Sequence, residues 1–121
     1  MKARIVMDET TRGMFDLTGR VAVVTGAGRG LGQAVAVGLA EFGADIAAVD
    51  LSADACGKTK SEIEKRGRRC AAYGCDVSDY ERVQTTVAQI ASAFGRVDIL
   101  ANIAGITARI PTCDIPPETV R

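Results

Sequence analysis

The chain has 121 residues, 47% of them hydrophobic, with fifteen basic and fifteen acidic side chains and a formal net charge of zero. That length suits one modest domain, and the balanced charge offers no basic excess for nucleic acid or an anionic membrane surface. The absence of histidine excludes a His-based triad, and Cys56, Cys70, Cys75 and Cys113 form no C-x-x-C pair, so zinc is not expected.

Met1 to Gly13 is polar and aperiodic, and it reads as a disordered tail or as sequence upstream of a start at Met14. Only three apolar residues separate Arg4 from Asp8, too few for a signal peptide. No apolar run is long enough to span a bilayer. The expected setting is therefore the cytoplasm, with free thiols.

Val21-Ala22-Val23-Val24 reads as a buried strand, and it runs into Thr25-Gly-Ala-Gly-Arg-Gly-Leu-Gly32. The helical period that follows, at Leu31, Ala34, Val35, Gly38, Leu39 and Phe42, predicts a helix closed at Gly43. A glycine-rich turn between strand and helix lets the backbone approach a ligand closely. The unpaired N–H groups of the helix start then favour an anion such as pyrophosphate. The glycines fit neither G-x-G-x-x-G nor the P-loop pattern. They fit T-G-x-x-x-G-x-G, through Thr25, Gly26, Gly30 and Gly32.

Ile46 to Val49 predicts a second strand ending in Asp50, with Ser52 capping a polar surface helix that stops near Arg66. Cys70 to Tyr73 is a shorter third strand. Ser78 is the expected cap of an amphipathic helix whose apolar face holds Tyr80, Val83, Val87, Ile90, Ala91 and Phe94, ending at Gly95. Val97 and Ile99 to Ala101 predict a fourth strand, apolar throughout and so central, leading into Asn102-Ile103-Ala104-Gly105. Pro116-Pro117-Glu118 looks like the first turn of a further helix.

Strands alternating with helices predict an α/β fold: a Rossmann-type parallel sheet with flanking helices, of which residues 14–121 hold the first βαβαβαβ part. In the strand order 3-2-1-4 the ligand crevice opens over the carboxyl ends, where all the motifs fall. Asp50, twenty residues after Gly30, is placed to accept from ribose hydroxyls and to repel a 2′-phosphate, which favours NAD over NADP. Arg29 pulls the other way, toward a 2′-phosphate or the pyrophosphate, or is simply solvated. Asp76 can accept from an adenine amino group while Val77 packs on the ring. Asn102 can tie adjacent strands through its amide, and Ala104-Gly105 leaves room for cofactor.

Together the T-G-A-G-R-G-L-G turn, Asp50, the Asp76-Val77 pair and Asn102-Ile-Ala-Gly105 resemble the short-chain dehydrogenase/reductase family in order and spacing. The likeness runs from Phe15 to the end and departs from the usual N-N-A-G only at Ile103. It is nearest to the sugar-acid members, of gluconate 5-dehydrogenase and 2-deoxy-gluconate 3-dehydrogenase type. The resemblance implies a pyrophosphate loop over Gly26, Arg29, Gly30, Leu31 and Gly32, an adenine contact at Asp76, and a nicotinamide-side wall at Ala104 and Gly105. It also implies an NAD(P)-dependent oxidoreductase acting on a small-molecule secondary alcohol or ketone, homo-oligomeric when complete. The family's Ser and Y-x-x-x-K are missing: Tyr73 is followed four positions on by Val77, and Tyr80 by Gln84. The expectation is an amino-terminal portion that lacks the catalytic half and is inactive alone. The alternatives are a non-catalytic nucleotide-binding module and an inactive truncated gene product.

Overall fold

Short β-branched and alanine-rich runs pair side by side, because such side chains pack closely on a pleated surface. The computed structural model describes residues 9–105, and within them strands β1 (Val21–Thr25), β2 (Asp45–Asp50), β3 (Cys70–Gly74) and β4 (Ile99–Asn102) form one parallel sheet in the order β3-β2-β1-β4. The Rossmann-type fold and strand order expected from the sequence are thus present. Helices α1 (Glu9–Met14), α2 (Gly30–Glu41), α3 (Gly57–Lys65) and α4 (Tyr80–Phe94) accompany the strands, with a 3-10 turn at Ala53–Cys56 leading into α3.

Alternate strand residues point to opposite faces, so the sheet has two cores. Ala22, Val24, Ile46, Ala48 and Cys70 meet Ala36 and Ala40 of α2 and Ile63 of α3 on one side. Val23, Ala47 and Val49 meet Ile90 of α4 on the other, with Val83 and Phe94 at the margin. The split follows from the topology. The chain steps outward from β1 to β3 and then reverses to β4, and crossovers of one hand put α4 on the opposite face.

Several local expectations are corrected. The buried stripe of α2 is Gly32, Ala36 and Ala40, while Leu31 is 69% exposed. Small residues let the helix lie close to the sheet and the turn, so its contact face is not its bulkiest one. On α4 the buried positions are Thr86 and Ile90, and Tyr80, Val87 and Ala91 are exposed. Its cap is Asp79, whose carboxylate accepts from the N–H of Arg82, and not Ser78. Ser52 does cap the 3-10 turn, accepting from the N–H of Ala55. β4 is not buried throughout: its residues alternate, and Leu100 is 61% exposed. A short helix, α1, spans Glu9–Met14. Beyond it Phe15 meets the Phe42 ring edge-on at 6.5 Å, and the N–H of Leu17 donates to the Phe42 carbonyl at 2.7 Å. Residues 1–8, Cys113 and the Pro116-Pro117-Glu118 turn lie outside the described residues.

Asp98 fastens the start of β4 to β1. Its backbone N–H donates to the Val21 carbonyl, and its Oδ2 accepts the Val21 N–H, both at 2.9 Å. Arg96 grips the same carboxylate through two bonds of 2.8 and 2.6 Å. These contacts, Arg96 foremost and then the Val21 N–H, hold the Asp98 carboxyl down at about 2.

Candidate functional site

The crevice is built outward from the turn that joins β1 to α2. Gly26 has φ +65°, and a Cβ there would stand 3.0 Å from the Ala104 backbone, so the turn and the end of β4 press together with no room for a side chain. A Cβ on Gly32 would lie 1.9 Å from the Gly26 carbonyl oxygen, so α2 begins directly against the turn. Gly30, at φ +56°, is different: nothing lies within 4 Å of a Cβ built on it. It borders open space, as a residue facing a ligand would.

The start of α2 has no internal partner for its donors. Arg29, the residue at the cap position, is extended and gives no side-chain capping bond, and the first turn holds no acid. The first intrahelical bond runs from the Gln33 N–H to the Arg29 carbonyl. Among the described residues no acceptor meets the N–H groups of Gly30, Leu31 and Gly32. Three free donors and the positive end of a helix converge there, a cradle suited to an anion.

The preceding part of the turn is held on every side. The Ala27 N–H donates to the Val49 carbonyl at 3.1 Å, and the Gly28 N–H to Asp50 Oδ2 at 2.9 Å. Asp50 accepts a second bond at Oδ1 from the N–H of Leu51, at 2.8 Å. An ionised carboxylate has about four acceptor positions, so two remain for a ligand. The Thr59 hydroxyl donates to the Ala27 carbonyl at 2.7 Å.

Gly26, Arg29, Gly30, Leu31 and Gly32 line one side of a crevice of about 670 Å³. Asp50, Asp76 and Val77 line it at the ends of β2 and β3, and Ala104 and Gly105 beyond β4. Ten of the eleven residues singled out from the sequence therefore meet in one place. Asp76 Oδ1 accepts from the Ser78 hydroxyl at 2.6 Å and the Ser78 N–H at 3.0 Å, which holds its carboxyl below the ordinary range. Val77 stands 47% exposed at the rim.

Asn102 is the exception. It is exposed and does not border the crevice. The tie between strands expected of its amide is made by Thr25. The Thr25 hydroxyl oxygen accepts the N–H groups of Ile103 and Ala104, at 3.0 and 3.1 Å, and donates to the Ala101 carbonyl at 3.4 Å. Thr25 was visible as a motif letter, but nothing local discloses its partners. Thr59 carried no signal at all. Cys75, also unsuspected, borders the crevice with little exposure. Burial first and the Asp50 charge second push the Cys56 thiol up to about 11.

The chain matches the family model for short chain dehydrogenase over residues 20–121. It is 40% identical over 101 residues to 2-dehydro-3-deoxy-D-gluconate 5-dehydrogenase of Pseudoalteromonas atlantica, covering 83% of this chain and 40% of that protein. With gluconate 5-dehydrogenase of Gluconobacter oxydans the identity is 39% over 98 residues, covering 81% of this chain and 38% of the relative. The crystal structure of a short chain dehydrogenase from Mycobacterium paratuberculosis bound to NAD superimposes with a TM-score of 0.76 at 38% identity, covering 86% of this chain and 43% of that one. The chain thus spans about two fifths of the length of the curated relatives it matches.

Proposed function

The chain belongs to the short-chain dehydrogenase family, a family of oxidoreductases, and from that premise we propose that its crevice holds NAD in preference to NADP. The single observation that carries the proposal is the trio of unpartnered N–H groups at Gly30, Leu31 and Gly32, beside a carboxylate fixed at the end of the neighbouring strand. The pyrophosphate lies on those donors. Asp50, oriented by two backbone N–H groups, accepts from the adenosine ribose hydroxyls with its remaining lone pairs. A 2′-phosphate at the same place meets a like charge. Asp76 and Val77 form the adenine end, and Ala104 and Gly105 the wall on the nicotinamide side, with Arg29 over the pyrophosphate. NAD, when bound, supplies a hydride-accepting ring, and this chain's residues bind and orient it.

In the whole protein the reaction is hydride transfer between nicotinamide and a secondary alcohol or ketone. A sugar acid is the favoured substrate class, supported by the gluconate-type relatives. A homo-oligomer in the cytoplasm is the setting we propose, where the free thiols of Cys56, Cys70 and Cys75 persist.

Titration of NAD and NADP against wild type and Asp50→Ala tests the binding proposal. Hydrogen bonds to a charged acceptor contribute about 1.5–3 kcal/mol each, so NAD binding weakens by tenfold or more while NADP is rejected less. An unchanged preference removes the ribose assignment.

A further inference from the structure

We infer that Thr59 is a positioning residue for the glycine-rich turn: from α3 it locks the Ala27–Gly28 peptide in the one orientation that aims the start of α2 into the crevice. The inference rests on the pyrophosphate reading above. Its basis is the two ends of a single peptide unit. The Ala27 carbonyl accepts the Thr59 hydroxyl at 2.7 Å, and the Gly28 N–H, on the opposite side of the same plane, donates to Asp50 Oδ2 at 2.9 Å. A peptide group is planar, so fixing its C=O and its N–H fixes the plane. With the Ala27 N–H on the Val49 carbonyl, the neighbouring plane is fixed as well.

Thr59 is fully buried on a helix that is otherwise largely polar, and it lies 32 residues from its partner in the chain. It does not border the crevice. Any effect it has on a ligand must therefore pass through the turn. On that side the 3-10 turn ahead of α3 lies hard against it, since a Cβ on Gly28 would stand 2.6 Å from the Ala55 carbonyl oxygen, but it supplies the Ala27 carbonyl with no donor among the described residues. Without the hydroxyl, the Ala27 carbonyl is a buried acceptor with no donor, and rotation of the plane is the route by which it finds one. That rotation carries Arg29 and Gly30 with it and scatters the N–H groups that should converge.

The test uses the 121-residue chain with ADP, which carries a pyrophosphate, and adenosine, which carries none. Thr59→Val keeps the shape and removes the donor. It should weaken ADP binding by about tenfold, the loss of one net hydrogen bond's worth of positioning, and adenosine binding by less, because Asp50 keeps the Leu51 N–H when the Gly28 N–H turns away. Thr59→Ser should restore both. Amide hydrogen exchange without ligand should be faster from Gly28 to Gly32 in Thr59→Val and normal in Thr59→Ser. Ile63→Val, one turn along the same helix, loosens the shared core without removing a hydrogen bond to the turn and should leave ADP affinity and turn exchange as in wild type. Should Thr59→Val fail to fold, Thr59→Cys, a weaker donor of similar size, carries the same comparison. Wild-type ADP affinity in Thr59→Val, or an equal loss in Ile63→Val, overturns the role of Thr59 alone. A wild type that binds ADP no more tightly than adenosine removes the pyrophosphate reading and this inference with it.

Discussion

Replacing Gly30 and Gly32 by alanine, one at a time, separates ligand approach from packing within a single turn. At Gly30 the added methyl meets no protein atom within 4 Å, and the penalty is conformational, because φ is +56°. Holding an L-residue in the left-handed region costs roughly 1–2 kcal/mol. For a domain near 100 residues each kcal/mol lowers Tm by about 4–8 °C, so Gly30→Ala melts detectably earlier yet still folds. Its methyl stands in the approach to the free N–H groups, and ADP binding falls. At Gly32 the methyl would lie 1.9 Å from the Gly26 oxygen and 2.5 Å from its carbonyl carbon. Both are backbone atoms, and the helix or the turn must give by about 1 Å, an overpacking that typically costs 1–3 kcal/mol and occasionally more. Gly26 is itself pressed against Ala104, so the displacement passes to the end of β4. Gly32→Ala should therefore disturb amide signals at Ile103 and Ala104, which Gly30→Ala leaves in place. Thermal unfolding followed by circular dichroism, ADP titration and amide chemical shifts measure the three quantities. Wild-type ADP affinity in Gly30→Ala, or a wild-type spectrum of the β4 end in Gly32→Ala, refutes this division of labour.

Thr25→Val strands the N–H groups of Ile103 and Ala104, each worth about 1–3 kcal/mol if left unsatisfied, so Tm should fall and amide exchange at both residues should rise; unaltered exchange would mean the hydroxyl ties nothing. The Asp98 carboxyl, held at about 2 in the folded chain, adds stability that is complete above its unfolded value near 3.9 and is lost as pH falls through the folded value. Melting followed from pH 5 to 2 should show that loss, and Asp98→Asn should be less stable at pH 7 and flatter across the window; parallel curves would assign the acid sensitivity elsewhere.

The fold was legible wherever one residue class repeated at a strand's or a helix's period. The apolar runs Val21 to Val24 and Ile46 to Val49 lie between turn residues, and each forms the body of a strand. The helix faces were less legible, for a physical reason. Periodicity weighs large apolar side chains, whereas close approach selects small ones. On α2 Ala36 and Ala40 are buried against the sheet with Val35 and Leu39 packed at the margin, Gly32 lies on the turn, and the bulkier Leu31 lines the crevice instead. On α4 a buried Thr86 takes the place that Val87 would claim by hydrophobicity. The cap slipped by one: Ser78 belongs to the turn closed by Asp76, which accepts its N–H and hydroxyl, and the carboxylate of Asp79 accepts from the N–H of Arg82.

The site divides along the same line. Residues that line the crevice through the backbone or a strand end were legible, since a glycine pattern and an acid at a fixed distance are local signals. Residues that hold those elements in place were not. The Thr25 hydroxyl finds its partners 78 and 79 residues away, and Thr59 finds its own across the interface between α3 and the turn. A buried threonine has the same letter whether it fills space or orients a peptide plane, and only the donor–acceptor geometry tells the two apart. Asn102 shows the converse: an amide in a recognisable motif, yet exposed and away from the crevice, with the strand tie it was expected to make carried by a hydroxyl on the neighbouring strand. The backbone that lines the crevice is thus written in short motifs, while its rigidity is supplied by isolated polar side chains whose meaning exists only once the chain has folded.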